Sequence, residues 1–117
     1  EDIENFKAKS QEDLQYLNQK HEQLINVILQ EEEDVISNHR QHIDDMVDLI
    51  KRETLLLNEV DKPASDIDEY VVNLNTILGR KVDLINNLRG KLNTFRDHLK
   101  QEEMLSKKFY EQRSEVM

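Results

Sequence analysis

The sequence predicts an all-α fold: a long antiparallel helical hairpin, or coiled coil, that dimerises into a four-helix bundle. Three observations lead there. Apolar residues recur at heptad spacing, a single proline-containing break interrupts them, and the composition is rich in Glu, Lys, Leu, Gln and Asn with only two Gly and one Pro. The 117 residues are 37% apolar and 35% charged, a thin supply for an independent globule. No run of β-branched and aromatic residues bounded by turns suggests a strand.

The break comes at Asp61-Lys62-Pro63-Ala64-Ser65-Asp66. Proline disfavours helix at the residue before it and breaks a helix interior. Ser65 followed by Asp68 resembles a capping box, and Asp66, Asp68 and Glu69 suit the positive end of a helix. The first helix is therefore expected to stop near residue 61 and the second to start near 66. The expected organisation is an N-terminal helical extension over 1–29 and a C-terminal hairpin over 30–117. Within that hairpin, helix 1 runs to about 61, a turn covers 62–65 and helix 2 covers 66–115.

In helix 2, steps of four and three give Ile67, Val71, Leu74, Leu78, Lys81, Ile85, Leu88, Leu92, Phe95, Leu99, Glu102, Ser106 and Phe109, ten of them apolar. Tyr70, Ile77, Val82 and Leu84 widen this stripe. In helix 1, Ile43, Met46, Ile50, Leu57 and Val60 keep the heptad, with Glu53 as a polar exception. Upstream, Leu14, Leu17, Leu24, Ile25, Ile28 and Leu29 form a second stripe, and Val35 and Ile36 resume it after Glu31-Glu32-Glu33-Asp34. With no Gly, Pro or Ser before it, that acidic run reads as the solvated face of one continuous helix.

A short turn implies antiparallel docking. Setting Val60 against Ile67 places Leu57 beside Tyr70 and Val71, Ile50 near Leu78, Ile43 near Ile85, Ile36 near Leu92 and Leu17 near Phe109. Charge favours the same arrangement. Residues 1–62 hold 16 acidic and 7 basic groups, whereas residues 80–117 hold 6 acidic and 9 basic. Leu49, Leu56, Ile77 and Leu84 are expected to stay partly exposed on a two-helix hairpin, and a second copy would cover them. The expected protein-interface residues are Ile43, Ile50, Leu57, Val60, Ile67, Val71, Leu74, Leu78, Ile85, Leu88, Leu92, Phe95 and Leu99, in a homodimer.

Little points to chemistry. His39 and His42 lie three apart, with Glu32 or Glu33 upstream, but this reads as a wet helix face rather than a metal trio. His98 with Glu102 reads the same way, and His21 reads as a partly exposed seam residue. Gly79 and Gly90 belong to no phosphate-binding loop, and each marks either a close helix approach or a tolerated surface position. A thin helical hairpin offers no interior to tune a catalytic carboxylate. The expectation is a chain with no catalytic residue, metal or cofactor. Net charge of −9 makes nucleic acid and anionic membranes poor partners, and no apolar run is long enough to span a bilayer. The chain opens on Glu1 rather than Met, so it reads as part of a longer protein.

The stretch Glu31-Glu32-Glu33-Asp34-Val35-Ile36-Ser37-Asn38-His39-Arg40 resembles the C-terminal tail domain of kinesin-13 proteins. The resemblance continues through Leu55-Leu56-Leu57-Asn58-Glu59-Val60-Asp61-Lys62-Pro63 and Asp68-Glu69-Tyr70-Val71 to Phe95-Arg96-Asp97-His98-Leu99-Lys100-Gln101-Glu102-Glu103, covering roughly residues 30–108. It looks closest to plant and protist members, and Ala64-Ser65 departs from an expected Pro-Gly-Ser. The resemblance implies a microtubule-depolymerising ATPase whose motor lies outside this chain. It implies that this region dimerises, contacts its own motor or neck, or targets the motor, in the cytoplasm and on the cytoskeleton (microtubules, spindle or cilium). An acidic chain is repelled by acidic tubulin tails, so microtubules are expected as indirect partners only. A coiled-coil scaffold of another cytoskeletal or centrosomal protein, recruiting a partner helix, is the alternative.

Overall fold

The computed structural model describes the backbone of residues 2–116 and the side chains of residues 11–108, 110 and 111. Two helices account for nearly all of it: α1, Asp2–Val60, and α2, Ile67–Val116. The described residues contain no strand. The acidic run lies inside α1, because the helix continues unbroken through Glu31–Asp34.

The turn is built from local bonds. Lys62 N donates to the Glu59 carbonyl at 3.2 Å, and Ser65 N donates to the Lys62 carbonyl at 3.3 Å. The cap of α2 is Asp66, not Ser65: Asp66 Oδ1 accepts from the backbone N of Asp68 at 3.0 Å and of Glu69 at 3.3 Å. Ser65 faces the other helix instead, its hydroxyl donating to the Val60 carbonyl at 2.9 Å. One free carbonyl at the end of α1 is thereby satisfied. Ala64 has φ of 62°, the left-handed conformation that glycine adopts without a Cβ clash.

Helix segments pair in two compact units, residues 1–33 with 93–117 and residues 34–92. In the first, Glu31 meets His98, and His21 meets Glu102 and Ser106. Stepping back along α1 thus steps forward along α2, so the helices are antiparallel. The expected contact of Leu17 with Phe109 falls on a side chain outside the described residues.

In the second unit, Leu49 on α1 and Ile77 on α2 are the most buried side chains, 5% and 8% exposed. Both were expected to lie on the open face. The packed stripe is therefore rotated relative to the expected one. On α2 it runs through Tyr70, Leu74, Ile77, Lys81, Leu84 and Leu88, then Phe95, His98, Glu102 and Leu105. Leu74, Leu88 and Phe95 belong to both stripes, while the second position of each heptad moves back by one residue. On α1 the packed positions step through Leu14, Leu17, His21, Leu24, Ile28, Glu31, Val35, Asn38, His42 and Asp45, then Leu49, Glu53, Leu56 and Val60. The two successive steps of four around Leu49 are a stutter in the heptad, the kind of insertion that locally unwinds a coiled coil. Asp45 and Met46 share the change of phase, both half-buried.

Candidate protein-interaction surface

Rotation of the seam leaves an unexpected surface in the second unit. Ile43, Ile50 and Leu57 on α1, and Val71, Leu78, Ile85 and Leu92 on α2, remain 42–57% exposed. Ile67 in the second unit and Leu99 in the first are exposed too, at 59% and 42%. Within the hairpin these nine are not the packed seam that the sequence suggested. Of the thirteen expected interface residues, only Val60, Leu74, Leu88 and Phe95 lie in the intrachain seam, each half-buried.

The exposed residues repeat every seven positions. A period of seven keeps them in line along each helix, one place after the packed His42, Leu49 and Leu56 on α1 and Tyr70, Ile77 and Leu84 on α2, with Leu92 four places after the packed Leu88. In an antiparallel pair, the row that follows the seam on one helix lies on the same side as the corresponding row of the other. Residues 43, 50 and 57 therefore share a face with 71, 78, 85 and 92. Val47 and Val82, both exposed, extend the shoulders of that face. The opposite side of the same seam carries Arg52, Glu59, Asn73, Arg80 and Asn87, all exposed. Even after folding, the second unit is apolar on one side and polar on the other.

Polar rungs fix the seam. Lys81 and Glu53, polar exceptions in the heptads of their helices, form an ion pair with side chains 24% and 25% exposed. Helical side chains lean toward the N-terminus of their own helix. Lys81 therefore leans toward the turn and Glu53 away from it, and they converge. In the first unit His98 Nδ1 lies 2.5 Å from Glu31 Oε1. His21 Nε2 lies 3.1 Å from Glu102 Oε1 and 3.0 Å from Ser106 Oγ, and the Ser106 hydroxyl donates to Glu102 Oε1 at 2.6 Å. The Ser106 hydroxyl, followed by the His21 ring, holds the Glu102 carboxyl below its ordinary range. His98 thus faces the seam and not the wet face shared with Glu102 that its spacing suggested.

His39 is exposed while His42 is half-buried in the packed stripe, so these two histidines do not act together. No group of three acidic or histidine side chains is placed to hold a metal among the described residues. The groove beside the turn, lined by Val60, Pro63 and Tyr70 among others, is shallow and open to solvent. No described helix is long and apolar enough to cross a membrane. Neither glycine marks a close approach: a Cβ built on Gly79 or Gly90 meets nothing within 4 Å.

Sequence comparison adds what geometry alone does not. The kinesin-like protein KIN-13A of Oryza sativa subsp. japonica is 42% identical over 84 residues, 72% of this chain and 10% of the relative. The kinesin-like protein KIN-13B of Arabidopsis thaliana is 38% identical over 81 residues, 69% of this chain and 12% of the relative. The chain is kinesin-13-related. It spans about a tenth of the length of the curated kinesin-13 relatives it matches. No protein-family model matches it. No solved structure matches it either. The kinesin-13 likeness and the heptad-built helices together make this a coiled-coil region related to kinesins.

The seam phase was the part the residues alone did not reveal. On α2 the row 71, 78, 85, 92, 99 is wholly apolar, whereas the row actually packed includes His98 and skips the exposed Lys91. The usable signal was polar pairing. The observed phase brings His98 into the seam against Glu31, while Lys81 and Glu53, on the seam in either phase, pair with each other.

Proposed function

We propose that this chain is a non-catalytic dimerisation and regulatory or targeting domain of a microtubule-depolymerising kinesin motor. Its motor, a microtubule-dependent ATPase, occupies a part of the protein beyond this chain. The observation that carries the reading is the second unit's exposed apolar side, seven side chains in heptad register on two adjacent helices. Completing the burial of seven half-exposed residues, at about 1.5–3 kcal/mol for a whole side chain, contributes roughly 5–10 kcal/mol per protomer. Association itself costs an estimated 4–15 kcal/mol, so a dimer on this scale is stable but regulated by concentration. The likeness to KIN-13A and KIN-13B supports a kinesin context, and hence a cytoskeletal setting in the cytoplasm. A net charge of −9 favours contact with a basic motor or neck surface over direct contact with the acidic microtubule lattice.

The test has two arms. Equilibrium ultracentrifugation of the chain at tens of micromolar is expected to show a dimer. Adding the chain in trans to the full-length protein is expected to lower its ATPase and depolymerising activity. A monomer with no effect on the motor would overturn the proposal.

A further inference from the structure

We infer that two copies of this chain pack through the exposed apolar face of residues 34–92 with their turns at opposite ends, α1 on the partner's α1 and α2 on the partner's α2. The inference rests on the dimerisation reading above and fixes its geometry.

The face is self-complementary about two points. On α1, Ile50 would meet its own copy, and Ile43 would meet the partner's Leu57, because 43 and 57 are equally far from 50. On α2, Leu78 would meet its own copy, and Val71 would meet the partner's Ile85 for the same reason. All six side chains are 42–57% exposed in the single chain. A contact that closes on itself in this way is what a two-fold dimer requires.

Charge selects the direction. Residues next along the outer shoulder of the face are basic at the end away from the turn, Arg40 and Arg89, and acidic at the turn end, Asp61 and Asp68. All four are exposed. With turns at opposite ends, Asp61 comes opposite the partner's Arg40, and Asp68 opposite the partner's Arg89, about the same two centres. With turns at the same end, α1 covers the partner's α2. That places Asp61 against Asp68 and Arg40 against Arg89, four like-charge meetings. Rim pairs add little affinity but decide between orientations.

The size also fits. From Val71 to Leu92 the face is roughly 32 Å long at about 1.5 Å per residue, and two helices make it roughly 20 Å wide. That is on the order of 600 Å² per copy, at the upper limit of the apolar patch a monomer exposes. Over two copies it reaches about the lower bound of a standard interface.

The chain has no cysteine, so disulfide trapping starts from a clean background. Arg40→Cys and Asp61→Cys chains, mixed and oxidised, are expected to give a mixed disulfide, while Asp61→Cys mixed with Asp68→Cys gives none. Arg40→Asp should weaken dimerisation about five- to tenfold, and adding Asp61→Arg should restore it. Crosslinking of Asp61→Cys to Asp68→Cys would overturn the orientation while leaving dimerisation intact. A dimer in which neither pair crosslinks would place the contact on another face. A chain that sediments as a monomer would remove the dimerisation reading together with this one.

Discussion

Lys81 on α2 and Glu53 on α1 form an ion pair across the hairpin, each filling a packed position where a charge replaces an apolar side chain. Their side chains are about three-quarters buried. An ion pair so placed costs desolvation on both partners and returns it through mutual attraction. Its main effect falls on register, because sliding either helix would leave two charges without partners.

A double-mutant cycle checks this. Lys81→Met and Glu53→Leu are each expected to cost about 1–2 kcal/mol, since each strands the other charge in a partly buried setting. The double variant should regain most of that loss or exceed the parent. Urea unfolding of the four proteins gives the coupling. Strict additivity would mean that the pair is a surface contact with no hold on register.

These pairs also explain what was legible in the sequence. The hairpin, its turn and the continuity of α1 through the acidic run all followed from heptads and Pro63, because those signals depend on one helix at a time. The phase of the seam depends on two helices at once. Apolar residues at 77 and 78, and again at 84 and 85, make two neighbouring rows equally attractive. Hydrophobicity alone chooses the greasier row, but the folded chain buries the row whose polar members find partners. The cap was missed for a similar reason. Ser65 and Asp66 can both accept from a helix N-terminus, and the choice fell to Asp66 once the Ser65 hydroxyl was taken by the Val60 carbonyl.

The seam phase predicts which aspartate unfolds the chain. Ile77 is buried, so Ile77→Asp should abolish the cooperative transition by placing an unpaired charge in the seam. Leu49→Ala should cost about 2–4 kcal/mol. Ile85 is 42% exposed, so Ile85→Asp should leave helicity and melting of the single chain nearly unchanged while removing self-association. Leu88→Asp should behave like Ile77→Asp in weaker form, and Asp97→Ala should be silent. Circular dichroism and sedimentation of the same samples separate the two effects, and equal loss of helicity in Ile77→Asp and Ile85→Asp would return the seam to its expected phase.

Backbone positions give a second set of stability changes with opposite signs. Gly79 and Gly90 sit inside α2 with open space where a Cβ would lie, so Gly79→Ala and Gly90→Ala should each stabilise by about 1 kcal/mol. Ala64 holds a positive φ, and its Cβ is strained there by about 1 kcal/mol or more. Ala64→Gly should therefore be neutral or mildly stabilising, although the same change within a helix destabilises by about 1 kcal/mol. Thermal melts of the three variants provide the comparison. A marked loss of stability in Ala64→Gly would show that the turn tolerates the left-handed alanine without strain.

The last prediction concerns acid. The Glu102 carboxyl is held below its ordinary value of 4.5 by the Ser106 hydroxyl and then by the His21 ring. A carboxyl whose pKa is lower in the folded chain binds its proton more readily when unfolded, so it adds stability at pH values above 4.5. That contribution fades as pH falls below 4.5 and is gone once the pH has passed the folded value. Glu102→Gln should therefore remove part of the acid-side loss of stability seen in the parent, flattening the curve below about pH 4.5 while lowering the neutral plateau. Ser106→Ala, which deletes the largest cause, should shift the acid limb of the parent curve upward in pH and leave Glu102→Gln unaffected when the two are combined. Denaturation between pH 2 and 7 reads all four proteins, and a Ser106→Ala effect that persists in the Glu102→Gln background would assign the hydroxyl a role independent of that carboxyl.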